Sequence, residues 1–293
     1  MSSKEMVDKS IIWLASYPRS GNTFVRALLA NYFLSHSSPM HINQLSMTLL
    51  GEHNNSLWKY LTTTVPEECP YELLWTKRKI YFDETRNIMP DRCKIVNIKS
   101  NNNRPLRIVK THTNNIHPKL YNFQESDRII FIVRNPLDVV ISLTHYLNES
   151  EYRNICKRMI DPNFWTNTQM EFFEYLGTWA SHTKNWLTET RCPILIIKYE
   201  SLHFDTAFEL ERMIKFLDFT QIDNEKIKKS VNWSSFNEMK TQDDKDTFIE
   251  SSHTKFFRNG KINQWKTELN LIDKHLILDH CKELMDYFSF DYK

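Results

Sequence analysis

The chain has 293 residues, 41% of them apolar and 25% charged, which excludes a disordered tail, a collagen-like repeat and a membrane bundle. Its 38 basic and 36 acidic side chains leave a net charge of +2, without the basic excess of a general nucleic-acid binder. The polar start, the short apolar run Ile11–Ala15 and the lack of any run near the ~18 apolar residues of a membrane span predict a cytoplasmic protein with no signal peptide or membrane partner.

In chain order, Ile11–Ala15 reads as a buried strand, and Thr23–Phe33 as a helix with Phe24, Ala27, Leu28 and Tyr32 on one face. Residues 35 to 105 are less regular; with Trp58, Tyr60, Tyr71, Trp75, Tyr81 and Phe82 they are expected to form a lid or pocket wall. Leu106–Val109 and Ile129–Val133 are further strands, and Pro136 opens a helix over Leu137–Leu147. A helix is expected over Thr168–Thr188, a strand at Ile194–Ile197, an Asp205-capped helix through Leu217 and a last helix over Leu271–Phe288. The strands are rich in Ile and Val without polar alternation, which suits parallel strands covered on both faces. Strands alternating with helices predict an α/β fold, with one domain over residues 1–293 and a central, mainly parallel sheet flanked by helices.

Five cysteines (Cys69, Cys93, Cys156, Cys192, Cys281) lie scattered, with no CxxC pair or Cys/His cluster, so neither a metal site nor a disulfide framework is expected. Glycine occurs only four times, at 21, 51, 177 and 260, so each is expected to meet a local need.

In open α/β sheets ligands bind outside the carboxyl ends of the strands. Each strand here is followed there by polar groups: Tyr17–Thr23, Lys110-Thr111-His112, Arg134-Asn135-Pro136 and Lys198-Tyr199-Glu200. The first segment suits a phosphate loop, because Gly21 lets the backbone approach an anion, Ser20, Asn22 and Thr23 add donors, and Arg19 adds positive charge. The alternative is a strand–turn–helix corner capped by Asn22 or Thr23. It is not a Walker loop, since Asn22 occupies the lysine position and no glycine lies five residues before Gly21, which disfavours a nucleotide kinase. Arg134, with Ser142 two turns into the next helix, forms a second anion site. His112 is the natural proton acceptor, and Lys110, two residues away in an extended segment, points to the same side.

Tyr17-Pro18-Arg19-Ser20-Gly21-Asn22-Thr23 resembles YPKSGTTW, Lys110-Thr111-His112 matches KTH, and Arg134-Asn135-Pro136-Leu137-Asp138 with Ser142 matches RNPxDxxxS. Tyr199-Glu200 matches YE, Ser234–Lys240 resembles TSFxxMK, and Phe257-Arg258-Asn259-Gly260 with Trp265-Lys266 resembles RKGxxGDWK. These are the motifs of the PAPS-dependent sulfotransferases of the cytosolic type, in the family's order and over residues 17 to 266; the chain is similar to the compact, bacterial-like small-molecule members. The resemblance implies a P-loop-like sulfotransferase architecture, PAPS as donor and PAP as product. Arg19, Ser20, Gly21, Asn22 and Thr23 would hold the 5′-phosphosulfate, with Phe24 and Tyr199 on the adenine. Arg134, Ser142 and Arg258 would meet the 3′-phosphate, while Ser234, Phe236, Met239, Phe257, Asn259 and Gly260 belong to nucleotide-lining segments, residues 234 to 266 forming the closing loop. His112 would be the general base, with Lys110 and Arg19 stabilising the transferring group. His145, Tyr146, Phe164 and Trp165 would hold a small-molecule acceptor, a hydroxyl or an amine or amide nitrogen of a natural product, and no metal is implied.

The chain departs from the pattern where Arg19 replaces a lysine, Asn22 a threonine, Phe24 a tryptophan and Asn259 a basic residue. From Lys266 the family's dimer motif is not matched, Asn270, Leu271 and His275 filling its positions, so the oligomeric state stays open. The alternatives are an enzyme acting on a carbohydrate or peptide, a scaffold that binds PAP or PAPS without turnover, and a nucleotide kinase.

Overall fold

The computed structural model describes residues 11–35, 37–45, 50–51, 98–99, 105–115, 121, 126–166, 174–251 and 255–293. The strands are β1 (Ile11–Ser16), β2 (Leu50–Gly51), β3 (Ile98–Lys99), β4 (Pro105–Thr111), β5 (Ser126–Val133), β6 (Trp165–Thr166), β7 (Glu174–Tyr175) and β8 (Ile194–Lys198). The helices are α1 (Asn22–Leu34), α2 (Pro136–Tyr146), α3 (Tyr152–Met159), α4 (Trp179–Leu187), α5 (Tyr199–Phe204), α6 (Thr206–Phe216), α7 (Asn224–Trp233), α8 (Phe236–Lys245), α9 (Trp265–Glu268) and α10 (Leu271–Tyr287).

Strands β2, β4, β1, β5 and β8 pair in that order, all parallel, and β3 pairs antiparallel with β4. Trp13 of β1 stands opposite Val109 on one side and Ile129 on the other. Successive side chains point to opposite faces of a strand, and here both sets are apolar. Ile11, Trp13 and Ala15 enter a core with Phe131, Val133 and helices α2, α3, α4 and α10. Ile12 and Leu14 enter another with Ile108, Ile130, Ile132 and helices α1, α6 and α7. Helices on both faces therefore cover the sheet, which is why its strands lack polar alternation.

The helix expected over Thr168–Thr188 is shorter than its sequence pattern. Residues 174–175 form β7, paired with β6, and helix α4 begins only at Trp179. The loop after β4 claims the intervening backbone: the Asn114 amide donates to Tyr175 O at 2.7 Å and its side chain to Leu176 O at 2.9 Å. Gly177 then turns at φ +61°, and Thr178 caps α4 by accepting from Ser181 N. Most of the expected lid over residues 35 to 105, including its six named aromatics, lies outside the described residues. Cys69 and Cys93 also lie outside them; Cys156, Cys192 and Cys281 are buried, Cys156 and Cys281 as free thiols. Among the described residues no helix is long and apolar enough to cross a membrane.

Candidate active site

The carboxyl ends of β1, β4, β5 and β8 lie at one edge of the sheet, and a cavity of about 340 Å³ is lined by residues from the segments that follow them. At its floor the β1–α1 loop is tightly wound. Arg19 has φ +64° and Gly21 φ +105°, both in the left-handed region. No side chain caps α1 at Gly21, so the amides opening the helix are left for a ligand. Asn22 does not cap. Its Nδ2 turns inward and donates to Leu14 O at 3.1 Å and Ser16 Oγ at 3.2 Å, tying the loop to its own strand. The ring of Tyr199 packs over Gly21, where a Cβ would come 2.5 Å from Cδ2.

His112 follows β4 and is buried. Its Nδ1 lies 2.8 Å from Ser16 O and 3.1 Å from Ser16 Oγ. A carbonyl only accepts, so Nδ1 carries the proton and Nε2 presents a lone pair. Burial, and next the charge of Lys110, push this imidazole well below its usual value, so it is neutral at pH 7. Behind it, His182 Nε2 donates to His112 O at 2.9 Å, and burial lowers His182 to about 4. Lys110 and His112 line the same cavity.

Three arginines gather on the other side. Arg134 donates to Arg19 O at 2.9 Å and Lys261 O at 3.0 Å, and its guanidinium sits 4.3 Å over the Tyr199 ring. Arg19 reaches across to α2, where its Nε donates to Ser142 Oγ at 3.1 Å. Arg258 is held by Gln264 Oε1 at 2.5 Å and lies 3.6 Å from Glu268. A buried ion pair, Arg26 to Glu250 at 2.7 and 2.6 Å, borders the cavity through Glu250. Burial works against the Glu250 charge, yet the Arg26 guanidinium holds its carboxyl below the usual range.

The closing segment is anchored by Asp138 in the first turn of α2. Its carboxylate accepts from Asn263 N at 2.7 Å and Trp265 N at 3.2 Å. Asn135 caps the same helix, and its amide donates to Glu200 Oε1 at 3.0 Å. Tyr199 Oη donates to Gly260 O at 3.1 Å, and Phe236 covers Gly260 so closely that a Cβ there would clash with its ring. Thus Asp138 and Tyr199 join segments that are far apart in sequence around one cavity.

Of the residues singled out from sequence, Arg19, Gly21, Asn22, Thr23, Phe24, Lys110, His112, Arg134, Ser142, Tyr199, Phe236, Met239, Phe257, Arg258, Asn259 and Gly260 all line this cavity. Ser20 and Ser234 are fully buried and outside its lining; Ser234 accepts from Asn31 at 3.0 Å, and its neighbour Ser235 reaches the cavity instead. Of the four acceptor residues only Tyr146 lines it. Phe164 is buried in the core, Trp165 is half exposed, and His145 turns to Glu268 at 3.5 Å. The cavity also takes Glu174, Glu250, Phe256 and Gln264, which sequence reasoning missed. Phe256 and Gln264 had a signal, each being the neighbour of a matched motif, and with Glu250 they fall in the expected closing loop; Glu174 had none.

Residues 9–289 match the family model described as the sulfotransferase domain. Cytosolic sulfotransferase 1 of Danio rerio is 24% identical over 283 residues, 94% of this chain and 82% of the relative. Sulfotransferase 1A1 of Mus musculus is 27% identical over 198 residues, 64% of this chain and 65% of the relative. Among solved structures, mouse sulfotransferase SULT7A1 complexed with PAP gives a TM-score of 0.57 at 18% identity, covering 96% of this chain and 91% of that one. The sulfotransferase domain of the Synechococcus PCC 7002 olefin synthase gives 0.51 at 18%, covering 99% and 98%. At such identity the structural likeness speaks to the P-loop-like α/β fold.

Proposed function

The chain belongs to the sulfotransferase domain family, and on that premise we propose that it transfers the sulfuryl group of PAPS to a small-molecule acceptor and releases PAP. The observation that carries this reading is the convergence on one cavity of an uncapped phosphate loop, an arginine cluster and a neutral, oriented histidine. The donor set fits the nucleotide. Helix amides and Gly21 form a cradle for the 5′ end, while Arg134, Ser142 and Arg258 supply donors for a 3′-phosphate. Tyr199, Phe24 and Phe236 offer aromatic surface for adenine.

PAPS supplies an activated sulfuryl group with a phosphate as leaving group. His112 Nε2 takes the acceptor proton as the acceptor atom bonds to sulfur, and the bond from sulfur to the leaving phosphate breaks. Ser16 keeps the proton on Nδ1, so Nε2 stays the accepting atom. Lys110 and the α1 amides stabilise charge that builds on the transferring group and the leaving phosphate. The acceptor is a hydroxyl or an amine or amide nitrogen of a compound with an apolar body, a natural product being the proposed class. Leu143, Tyr146, Leu147 and Phe256 give this cavity an apolar wall suited to it. The whole chain is read as one such domain, which the match over residues 9–289 supports, and as a cytoplasmic one, in keeping with its similarity to a cytosolic relative.

The test is release of PAP from PAPS in the presence of a panel of phenols, alcohols and amines, with His112→Ala beside the wild type. Acceptor-dependent release that disappears in the variant, with PAP binding retained, supports the enzyme. PAP binding without turnover of any acceptor would favour the non-catalytic scaffold.

A further inference from the structure

Arg19 stands where the family places a lysine against the leaving phosphate, yet its side chain reaches the other phosphate site. Its Nε donates to Ser142 Oγ at 3.1 Å and its Nη2 to Phe256 O at 3.1 Å. The rings of Tyr146 and Phe256 cover the guanidinium at 4.8 and 4.1 Å from their centroids. Its backbone is held in the left-handed region, and Arg134 clamps its carbonyl at 2.9 Å. The four contacts on the guanidinium fix the direction of the fork, and the held backbone fixes its base.

Two donors remain open. Among the described residues, Arg19 Nη1 and Arg134 Nε are buried with no hydrogen-bond partner, although both residues border the cavity. Unpaired buried donors are rare and costly, and charged ones more so. Among the described residues neither Arg19 nor Arg134 has a carboxylate within salt-bridge distance, whereas Arg258 has Glu268 at 3.6 Å. Burial, followed among other causes by the charges of Arg134 and Arg258, lowers the Arg19 guanidinium to about 10, so it stays charged at neutral pH among like charges. Such a cluster is relieved by an anion that offers several acceptor oxygens.

We propose that Arg19 is a third arginine of the 3′-phosphate subsite, set on Ser142 with Nη1 aimed at the phosphate, rather than the cation that serves the leaving group. The assignment rests on the reading that this cavity takes PAPS. Its consequence is a division of labour particular to this chain. The loop's helix amides and Lys110 are left to the transferring group, and selection for a nucleotide carrying a 3′-phosphate is strengthened by the loop's own arginine. A lysine could not replace it, because one ammonium cannot hold Ser142 and Phe256 O through a planar fork and still offer a fixed third donor.

The experiment is a cycle between residue and ligand. PAP and AMP differ only in the 3′-phosphate, so calorimetry of both with wild type, Arg19→Met and Arg19→Lys isolates the contact between Arg19 and that group. The expected result is about a 30-fold weaker PAP affinity in Arg19→Met and a several-fold loss in Arg19→Lys, with AMP affinity within about twofold of wild type. Retained AMP binding also shows that each variant is folded. If PAP and AMP weaken by the same factor, or if neither weakens, the assignment of Arg19 is overturned while the nucleotide site stands. If wild-type protein binds no PAP, the functional reading falls and this assignment falls with it.

Discussion

The Nδ1 atom of His112 lies 2.8 Å from the main-chain oxygen of Ser16, the last residue of β1, so the strand that leads into the phosphate loop also sets the tautomer of the proposed base. Ser16 Oγ, 3.1 Å from the same nitrogen, accepts from Asn22 Nδ2 at 3.2 Å. Loop and base therefore share one hydrogen-bonded unit. Removal of the base by His112→Ala is predicted to lower kcat by about 10²- to 10⁴-fold, with PAP affinity unchanged. Asn22→Ala, which deletes two buried bonds, is predicted to cost about 1–3 kcal/mol of stability in a thermal or urea melt.

The two buried imidazoles give a pH dependence of stability with a defined direction. Burial places both His112 and His182 below the ordinary value in the folded state, His182 at about 4. The unfolded chain thus binds more protons than the folded one below about pH 6.5. Their contribution is fully present above that pH and is lost progressively as the pH falls through it. Urea midpoints measured from pH 8 to pH 5 are predicted to decline below about 6.5, and His182→Gln is predicted to flatten part of that decline.

Gly21 and Gly260 both face aromatic rings and both have positive φ. Alanine at either position adds backbone strain of order 1–3 kcal/mol and displaces Tyr199 or Phe236. Both variants are predicted to melt earlier and to bind PAP more weakly. Gly21→Ala is predicted to lose AMP binding as well, because Gly21 lies in the proposed 5′ cradle.

The Arg26–Glu250 pair is buried at the cavity wall, and removal of one partner leaves an uncompensated charge. Arg26→Met is predicted to destabilise the protein by about 3–5 kcal/mol. The double variant Arg26→Met, Glu250→Met is predicted to recover part of that loss in the same melt.

Much of this was legible in the sequence because it is local. The Ile/Val-rich runs of β1, β5 and β8 announce strands covered on both faces, and Asp205 signals its helix, where it accepts from Phe208 N at 2.9 Å. The chemistry of the strand ends was legible for the same reason. What depends on distant partners was not. Glu174–Tyr175 carries a helical pattern but pairs with Trp165–Thr166, and the loop at Asn114 takes the backbone that follows. Asp138 reads as a motif residue, while its role comes from the amides of Asn263 and Trp265 more than a hundred residues later. Arg19 reads as loop charge, and only the approach of Ser142 and Phe256 shows where that charge points.

The central claim is that this cavity binds the nucleotide product of sulfuryl transfer, and calorimetry of wild type and Arg134→Ala with PAP, with ATP as control, tests it most directly. The account predicts micromolar or tighter PAP binding that is lost in Arg134→Ala, and no comparable binding of ATP. Folded wild-type protein that binds ATP but not PAP, or neither, would contradict it.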